Sequence, residues 1–327
     1  MRVSTTNDTS SENRLAEAST DITELGDRTA ATPRIHRLGG EDLSFGAELR
    51  TIALDLWHSR DLIHQLTLRD IRIRYKQAVM GFGWALFMPM LIVLSGVLVR
   101  FAMAQTSGRS LDVTTIAGMA VKALPWAFFV GAIGLATSSL IGNMNLLTKI
   151  YFPREVLPFS TLLAQCFDTL IGGTVLTLML PFLGAQLSLQ LLWVPVLLLL
   201  LFTFVLGCTF FLSCANLFFR DVKYIVQVLL TFGIFVTPIF YEPSMFGPRV
   251  AQLLMLNPLA PIMEGLRFVV VDAHNLATTL VMKNPRGVEV LAWTPWYLVY
   301  SAVWGIGGAL VSLRLFRRAA YKFAEYA

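Results

Sequence analysis

Six apolar runs divide this 327-residue chain, each close to the ~20 residues that a helix needs to cross the hydrocarbon core of a bilayer. They fall at about Gly83–Met103, Leu124–Ile141, Leu157–Leu180, Leu191–Leu217, Ile225–Tyr241 and Trp296–Phe316. A chain built this way has few options. In lipid the backbone must satisfy its own N–H and C=O groups, and helices do so segment by segment. The expected fold class is an all-α polytopic membrane protein with six transmembrane helices. Only 14% of the residues are charged against 55% hydrophobic, where a soluble domain has about a quarter charged. Pro89, Pro125, Pro158, Pro195 and Pro238 lie in or near the runs, where they start or kink helices.

The basic residues flank the runs unevenly. One set of flanks holds Arg69, Arg72, Arg74, Lys76, Lys149, Arg154, Arg220, Lys223, Arg314, Arg317, Arg318 and Lys322. The opposite set holds Arg109, Lys122, Arg249, Arg267, Lys283 and Arg286, spread over more loop. The positive-inside rule then puts both termini in the cytosol. No long basic tract exists, so nucleic acid is not an expected partner. Met1 to about Arg50 has no apolar core of a cleavable leader, so sorting to the membrane is expected to use internal helices.

Residues 1–46 are polar and expected to form a disordered cytosolic tail. Residues 47–80 mix apolar and charged positions. Within them Ile71-Arg72-Ile73-Arg74-Tyr75-Lys76 alternates like an edge strand. The helical pattern runs further. Leu68, Ile71, Tyr75 and Val79 share one stripe, and Arg69, Arg72 and Lys76 share the next. An amphipathic helix on the membrane surface, broken near Ser59, is the expected structure. Residues 81–318 then form the transmembrane domain, and 319–327 a cytosolic tail.

Cys166, Cys208 and Cys214 lie inside apolar runs and read as small core hydrophobes. The four histidines are scattered. No metal site and no catalytic site is expected. No P-loop motif is present, and Gly-Lys never occurs, so this chain is not its own P-loop ATPase. Asp168 is the one clear carboxylate in the expected spans, a functional candidate by default. It is also compatible with a hydrogen-bonded place in a helix bundle.

Three further stretches stand out. The inner loop 143–158, "NMNLLTKIYFPREVLP", reads either as an ordinary inside loop or as a short helix pushed into a cytosolic partner. Arg220-Asp221 reads as a local ion pair or as a contact for a partner or lipid phosphate. Two groups of aromatics, Phe82, Trp84 and Phe87, and Phe232, Phe235, Phe240 and Tyr241, read as lipid-facing belts or as a stacking surface along which a sugar chain slides. The outer segment Glu242–Pro295 contains two apolar pieces, within about residues 248–275, broken by Asn257-Pro258 and Pro261. Each is too short to span, so a pair of re-entrant or outer-surface helices is expected.

Taken together, "LRDIRIRYKQAVMGFGWALFMP", "KIYFPREVLP", "LFFRDVKYIVQVLLTFGIFVTPIFYEP" and "LNPLAPIMEGLRF" resemble the permease subunit of the ABC type-2 exporters of lipid-linked surface polysaccharides: O-antigen, capsule and teichoic acid. The resemblance runs from about Leu54 to Ala324. Met88 stands where the family usually carries an amide residue, and the N-terminal tail is longer than usual. The resemblance implies a homodimer in the bacterial inner (plasma) membrane, moving undecaprenyl-pyrophosphate-linked polysaccharide. Two copies of a separate ABC ATPase would bind the ATP and Mg, with no cofactor in this chain. It implies ATPase coupling through Asn145, Lys149, Tyr151, Phe152, Arg154, Glu155, Arg220, Asp221 and Lys223. Lipid phosphate and the membrane interface fall to Arg69, Arg72, Arg74 and Lys76, and channel aromatics to Phe82, Trp84, Phe87, Phe232, Phe235 and Tyr241. Asn257, Pro258, Pro261 and Arg267 fall in outer gate helices. Two other classes remain beside it. A membrane glycosyl or phosphoglycosyl transferase needs clustered acids at the membrane face, and a type-2 permease for a drug or small lipid would lack the basic interfacial helix.

Overall fold

The computed structural model describes residues 45–76, 81, 83–107, 112–149, 152–184, 188–284 and 286–320. Residues 1–44 and 321–327 of the expected tails, Phe82 and Tyr151 lie outside these residues. Two helices come first, α1 (Phe45–His58) and α2 (Arg60–Tyr75), separated at Ser59. The alternating Ile71–Lys76 stretch is thus helix to Tyr75, and no strand. Ile63 and Leu66 are buried, with Thr67 and Arg74 further along the same side, while Ile73 is 69% exposed.

The apolar runs become α3 (Gly83–Ser107), α4 (Val113–Thr137), α7 (Val156–Met179) and α8 (Trp193–Phe218). Between α4 and α7 lie two short helices, α5 (Ser139–Gly142) and α6 (Met144–Lys149). Among the described residues five helices are long and apolar enough to cross a membrane, counting the last from Trp296 to Ala320. The expected fifth span is shorter, α9 (Val222–Val236) with 15 residues. At about 1.5 Å per residue it falls short of the ~30 Å hydrocarbon core. After it, α10 (Pro248–Met255) and α11 (Leu259–Val270) are bent by 107°. Asn257 secures the bend: its Nδ2 donates to Thr237 Oγ1 at 2.9 Å and its Oδ1 accepts from the Leu259 N–H at 3.1 Å.

Two departures from the sequence reading have local causes. The second span starts eleven residues before the expected Leu124, at Val113, because Lys122 is no flanking cation; it sits inside the helix and inside the protein, 1% exposed. The chain is also not purely helical. Strands β1 (Leu280–Lys283) and β2 (Glu289–Trp293) form an antiparallel hairpin after α11. The polar turn residues Asn284 and Gly287 carried that signal, and the hairpin anchors Trp293, which is fully buried.

The last span is α12 (Trp296–Ala302), a π-helical turn (Val303–Gly307) and α13 (Gly308–Ala320). Two apolar clusters hold the bundle together. The larger joins α4, α8, α11 and Trp293. The smaller sits at the end where α2, α5, α7, α8 and α13 meet, through Ile63, Leu66, Leu140, Val156, Leu157, Phe210, Leu217 and Phe316. The tightest seam is α8 on α13. A Cβ on Gly207 would lie 2.8 Å from the Ala309 backbone nitrogen. All twelve residues of α11 are buried. By contrast, α3 and α9 leave long apolar faces outward, including Met90, Leu94 and Leu98, and Ile225, Leu229 and Phe232.

Candidate functional site

The ridge of α2 lies on α7, and the two are joined by polar contacts along their length. Thr67 Oγ1 donates to the Ser160 carbonyl at 3.4 Å. At the last turn, Arg74 Nη1 donates to Asp168 Oδ2 and, at 3.0 Å, to Gln165 Oε1. The Tyr75 hydroxyl donates to the other carboxylate oxygen of Asp168 at 2.6 Å. Burial and the neighbouring carboxylate push the Tyr75 phenol well above its usual range, so it stays a hydrogen-bond donor. Arg74 thus belongs with the intramembrane carboxylate, whereas Arg72 and Lys76 are exposed and Arg69 is held by Asp70 at 2.8 Å.

This cluster stands on the wall of a groove of about 430 Å³ between α3, α4 and α7. Trp84, Met88, Pro89, Ile92, Leu124, Trp126 and Phe128 supply its apolar lining. Gln165 can lie there because residue 131 is glycine; a Cβ would come within 2.6 Å of its amide carbon. A second groove, about 610 Å³, opens on the other side of α4, against α9. Its lining includes Thr137, Ser138, Lys223, Gln227 and Thr231, and it shares Trp126 and Val130 with the first. The aromatic residues singled out from sequence divide. Trp84 lines the first groove and meets Phe87 edge-on at 5.4 Å. Phe232 and Phe235 lie on the outward face of α9, and the Tyr241 hydroxyl donates to the Phe235 carbonyl at 2.8 Å. No closed aromatic channel runs through the described residues of a single chain.

At the end of the smaller cluster, polar contacts tie α4, α8 and α9 to one another, and Arg154 and α1 to α13. Asn216 Nδ2 donates to the Thr137 carbonyl at 2.8 Å and its Oδ1 accepts from the Lys223 N–H at 3.2 Å. Arg317 pairs with Asp55 at 2.9 Å, Arg314 with Glu48 at 3.4 Å, and Arg154 donates to the Ala320 carbonyl. Among residues 143–158, Asn145 is exposed on α6. Phe152 packs against the smaller core cluster. Glu155 is only 7% exposed, and burial raises its pKa above the usual carboxylate range. The Pro153-Arg154-Glu155 part of that loop is therefore a joint within the chain, and α6 is its outward element. Arg220, Asp221 and Lys223 are all exposed. Among the described residues Arg220 and Asp221 form no ion pair, while Lys223 rests over the Tyr224 ring at 4.7 Å.

The opposite end holds a constellation that sequence reading missed. Lys122 Nζ donates to Glu264 Oε1 at 2.8 Å and to the Tyr241 carbonyl at 2.9 Å. Arg267 Nε donates to Glu264 Oε2 at 2.9 Å, and its Nη1 to Asp272 at 2.9 Å. The guanidinium lies 4.3 Å over the Phe268 ring. Glu242 approaches Arg267 at 3.8 Å and Arg100 at 4.0 Å, and Arg100 Nε donates to the Phe240 carbonyl at 3.1 Å. Glu264 is thus a second carboxylate within an apolar stretch, its side chain 1% exposed against 12% for Asp168. The only sequence signal was two cations and an acid, Lys122, Glu264 and Arg267, within apolar stretches. Among the described residues no group of three or more His, Cys, Asp or Glu side chains is placed to hold a metal.

Residues 61–271 match the family model described as ABC-2 type transporter, more than half of the chain. The O-antigen export system permease protein RfbA of Myxococcus xanthus is 29% identical over 242 residues, 73% of this chain and 91% of that protein. A protein of the same name from Klebsiella pneumoniae is 26% identical over 266 residues, 81% of this chain and 94% of its own length.

Proposed function

This chain belongs to the ABC-2 type transporter family, and we propose that it is the permease subunit of an ATP-driven exporter of undecaprenyl-linked surface polysaccharide, O-antigen first, with capsule or teichoic acid as the related alternatives. The observation that carries this reading is the span of the similarity: proteins named as O-antigen export permeases align with nearly their whole lengths. The chain is multi-pass, and we place its termini in the cytosol from the distribution of Lys and Arg. A separate ABC ATPase, two copies per two permeases, would supply the nucleotide chemistry and bind ATP and Mg.

The geometry supports a division of labour. Helix α2 carries exposed Arg72 and Lys76 beside the groove walled by Arg74, which suits capture of an anionic lipid head. The outward faces of α3 and α9, with Phe87, Phe232 and Phe235, suit a sugar-sliding path between two copies, since one chain does not enclose them. Asn145 on α6, with Arg220, Asp221 and Lys223 across the same end, suits the ATPase contact. Lys149 belongs to α6, and Tyr151 follows it in sequence. Asn257, Pro258 and Pro261 shape the bend of the outer pair, which we assign to the closure of the outer side.

Tagging the full chain and identifying what co-purifies in mild detergent tests the reading. A P-loop ATPase at equal stoichiometry, stimulated by lipid-linked glycan, is the expected result. A lone permease that transfers sugar or phosphate to a polyprenyl lipid would overturn it. Capture itself has a measurable size. A cation near an anionic membrane surface contributes about 1 kcal/mol. Arg69 is already paired with Asp70, so Arg69, Arg72 and Lys76 all replaced by alanine should lose mainly the other two contributions. Half-maximal stimulation of the ATPase should then need about thirtyfold more lipid-linked glycan. Unchanged stimulation would remove α2 from the capture step.

A further inference from the structure

We propose that Asp168 and Gln165 are positioning residues for the head group: they grip Arg74 by one nitrogen and leave its other edge to receive phosphate. This rests on the reading of the groove as the site of lipid capture, and deepens it. An ion pair built for stability alone is usually two-pronged, with two guanidinium nitrogens on one carboxylate. Here both contacts fall on Nη1. The Nε–Nη2 edge of Arg74 makes no hydrogen bond to a described residue. That edge is the planar fork that binds phosphate in two-pronged fashion.

The anchors are themselves held. The second oxygen of Asp168 is occupied by the Tyr75 hydroxyl at 2.6 Å, so the carboxylate is fixed from both sides. Gln165 lies in the space that Gly131 leaves open. The side chain that would meet the anion is therefore set by two residues of α7, one turn apart, and by its own neighbour on α2. Pre-setting the guanidinium lowers the ordering cost when the anion arrives. Asp168 also keeps Arg74 neutralised when the groove is empty, so an unpaired cation is never left beside Trp84 and Met88. Exposed Arg72 and Lys76 provide the net positive charge that draws a diphosphate toward the mouth.

The test uses the full-length chain in phosphatidylcholine nanodiscs, titrated with undecaprenyl diphosphate. Undecaprenol and inorganic pyrophosphate are run in parallel. Asp168→Asn is near-isosteric and keeps an acceptor oxygen. It should weaken binding of the diphosphate lipid about tenfold and leave undecaprenol binding unchanged, with Asp168→Glu recovering part of the loss. Gln165→Ala keeps the ion pair and should cost about threefold, which preserves the test if Asp168→Asn folds poorly. Arg74→Ala separates the two levels of the argument. If it does not weaken the diphosphate lipid, the capture reading itself falls. If it does, while Asp168→Asn and Gln165→Ala leave affinity unchanged, only the positioning role falls. Equal losses for undecaprenol would reduce the pair to a structural clasp. Inorganic pyrophosphate binding as tightly as the lipid would assign the groove to a free anion and overturn the lipid assignment.

Discussion

Glu264→Ala should cost about 3–5 kcal/mol of stability, enough to remove most of the folded protein. Lys122 and Glu264 are each 1% exposed, and Arg267 is 5% exposed. Removing the acid leaves Lys122 buried with only the Tyr241 carbonyl as a partner, and takes the Nε contact from Arg267. An uncompensated ammonium in such a place costs far more than the net worth of the pair that it lost. The double variant Lys122→Met, Glu264→Met should therefore be more stable than Glu264→Ala, since the orphaned ammonium is gone and Arg267, though without its Nε contact, keeps Asp272 at 2.9 Å. Denaturation midpoints in detergent for Lys122→Met, Glu264→Met and the double variant, each against the parent, form a double-mutant cycle. A double variant whose loss equals the sum of the single losses would show that Lys122 and Glu264 do not act together.

The second large effect belongs to the α8–α13 seam. Gly207→Leu should lower stability by more than about 3 kcal/mol, because inserting even a few methylenes into a filled core costs roughly 1–3 kcal/mol. What a side chain at 207 would meet is backbone, the Ala309 N and Cα and the Gly308 carbonyl carbon at 2.8 to 3.0 Å. No rotamer change can clear those atoms, so the helices must part. Small residues at helix crossings serve this close approach in membranes. The consequence reaches beyond packing, because α13 carries the Arg317 and Arg314 contacts to α1. Gly307→Ala is the control, with nothing within 4 Å of its added Cβ. It should stay within about 0.5 kcal/mol of the parent. Equal melting behaviour for both variants would mean that the seam tolerates separation.

Much of the architecture was legible in the chain. Long uncharged runs marked four of the helices to within a few residues, because hydropathy over ~20 residues is a local property that lipid reads directly. The break at Asn257-Pro258 was legible for a similar reason, since proline and its neighbours restrict the backbone on the spot. The Ile71–Lys76 alternation made no strand, as the longer helical pattern led one to expect, and it is packing on α7 that sets the ridge of contact through Thr67 and Arg74. The hairpin after α11 and the shortness of α9 were not anticipated, because both depend on what the segment packs against.

The candidate site divides along the same line. From sequence alone came the basic residues of α2, the exposed polar end at Asn145 and Arg220–Lys223, and Asp168 as an ionisable group where few are tolerated. What those groups do to one another did not. Arg74 finds Asp168 94 residues away, and Lys122 finds Glu264 142 residues away. Glu155, which the resemblance assigned to ATPase coupling, is carried inward by the packing of the 153–156 joint. Composition and run length determined that this chain spans a membrane as a helical bundle, because burial in lipid is decided segment by segment. Only the tertiary structure decided which charges are neutralised, which aromatics face outward and where a groove opens, because electrostatic pairing and cavity shape depend on side chains that meet only once distant helices have packed.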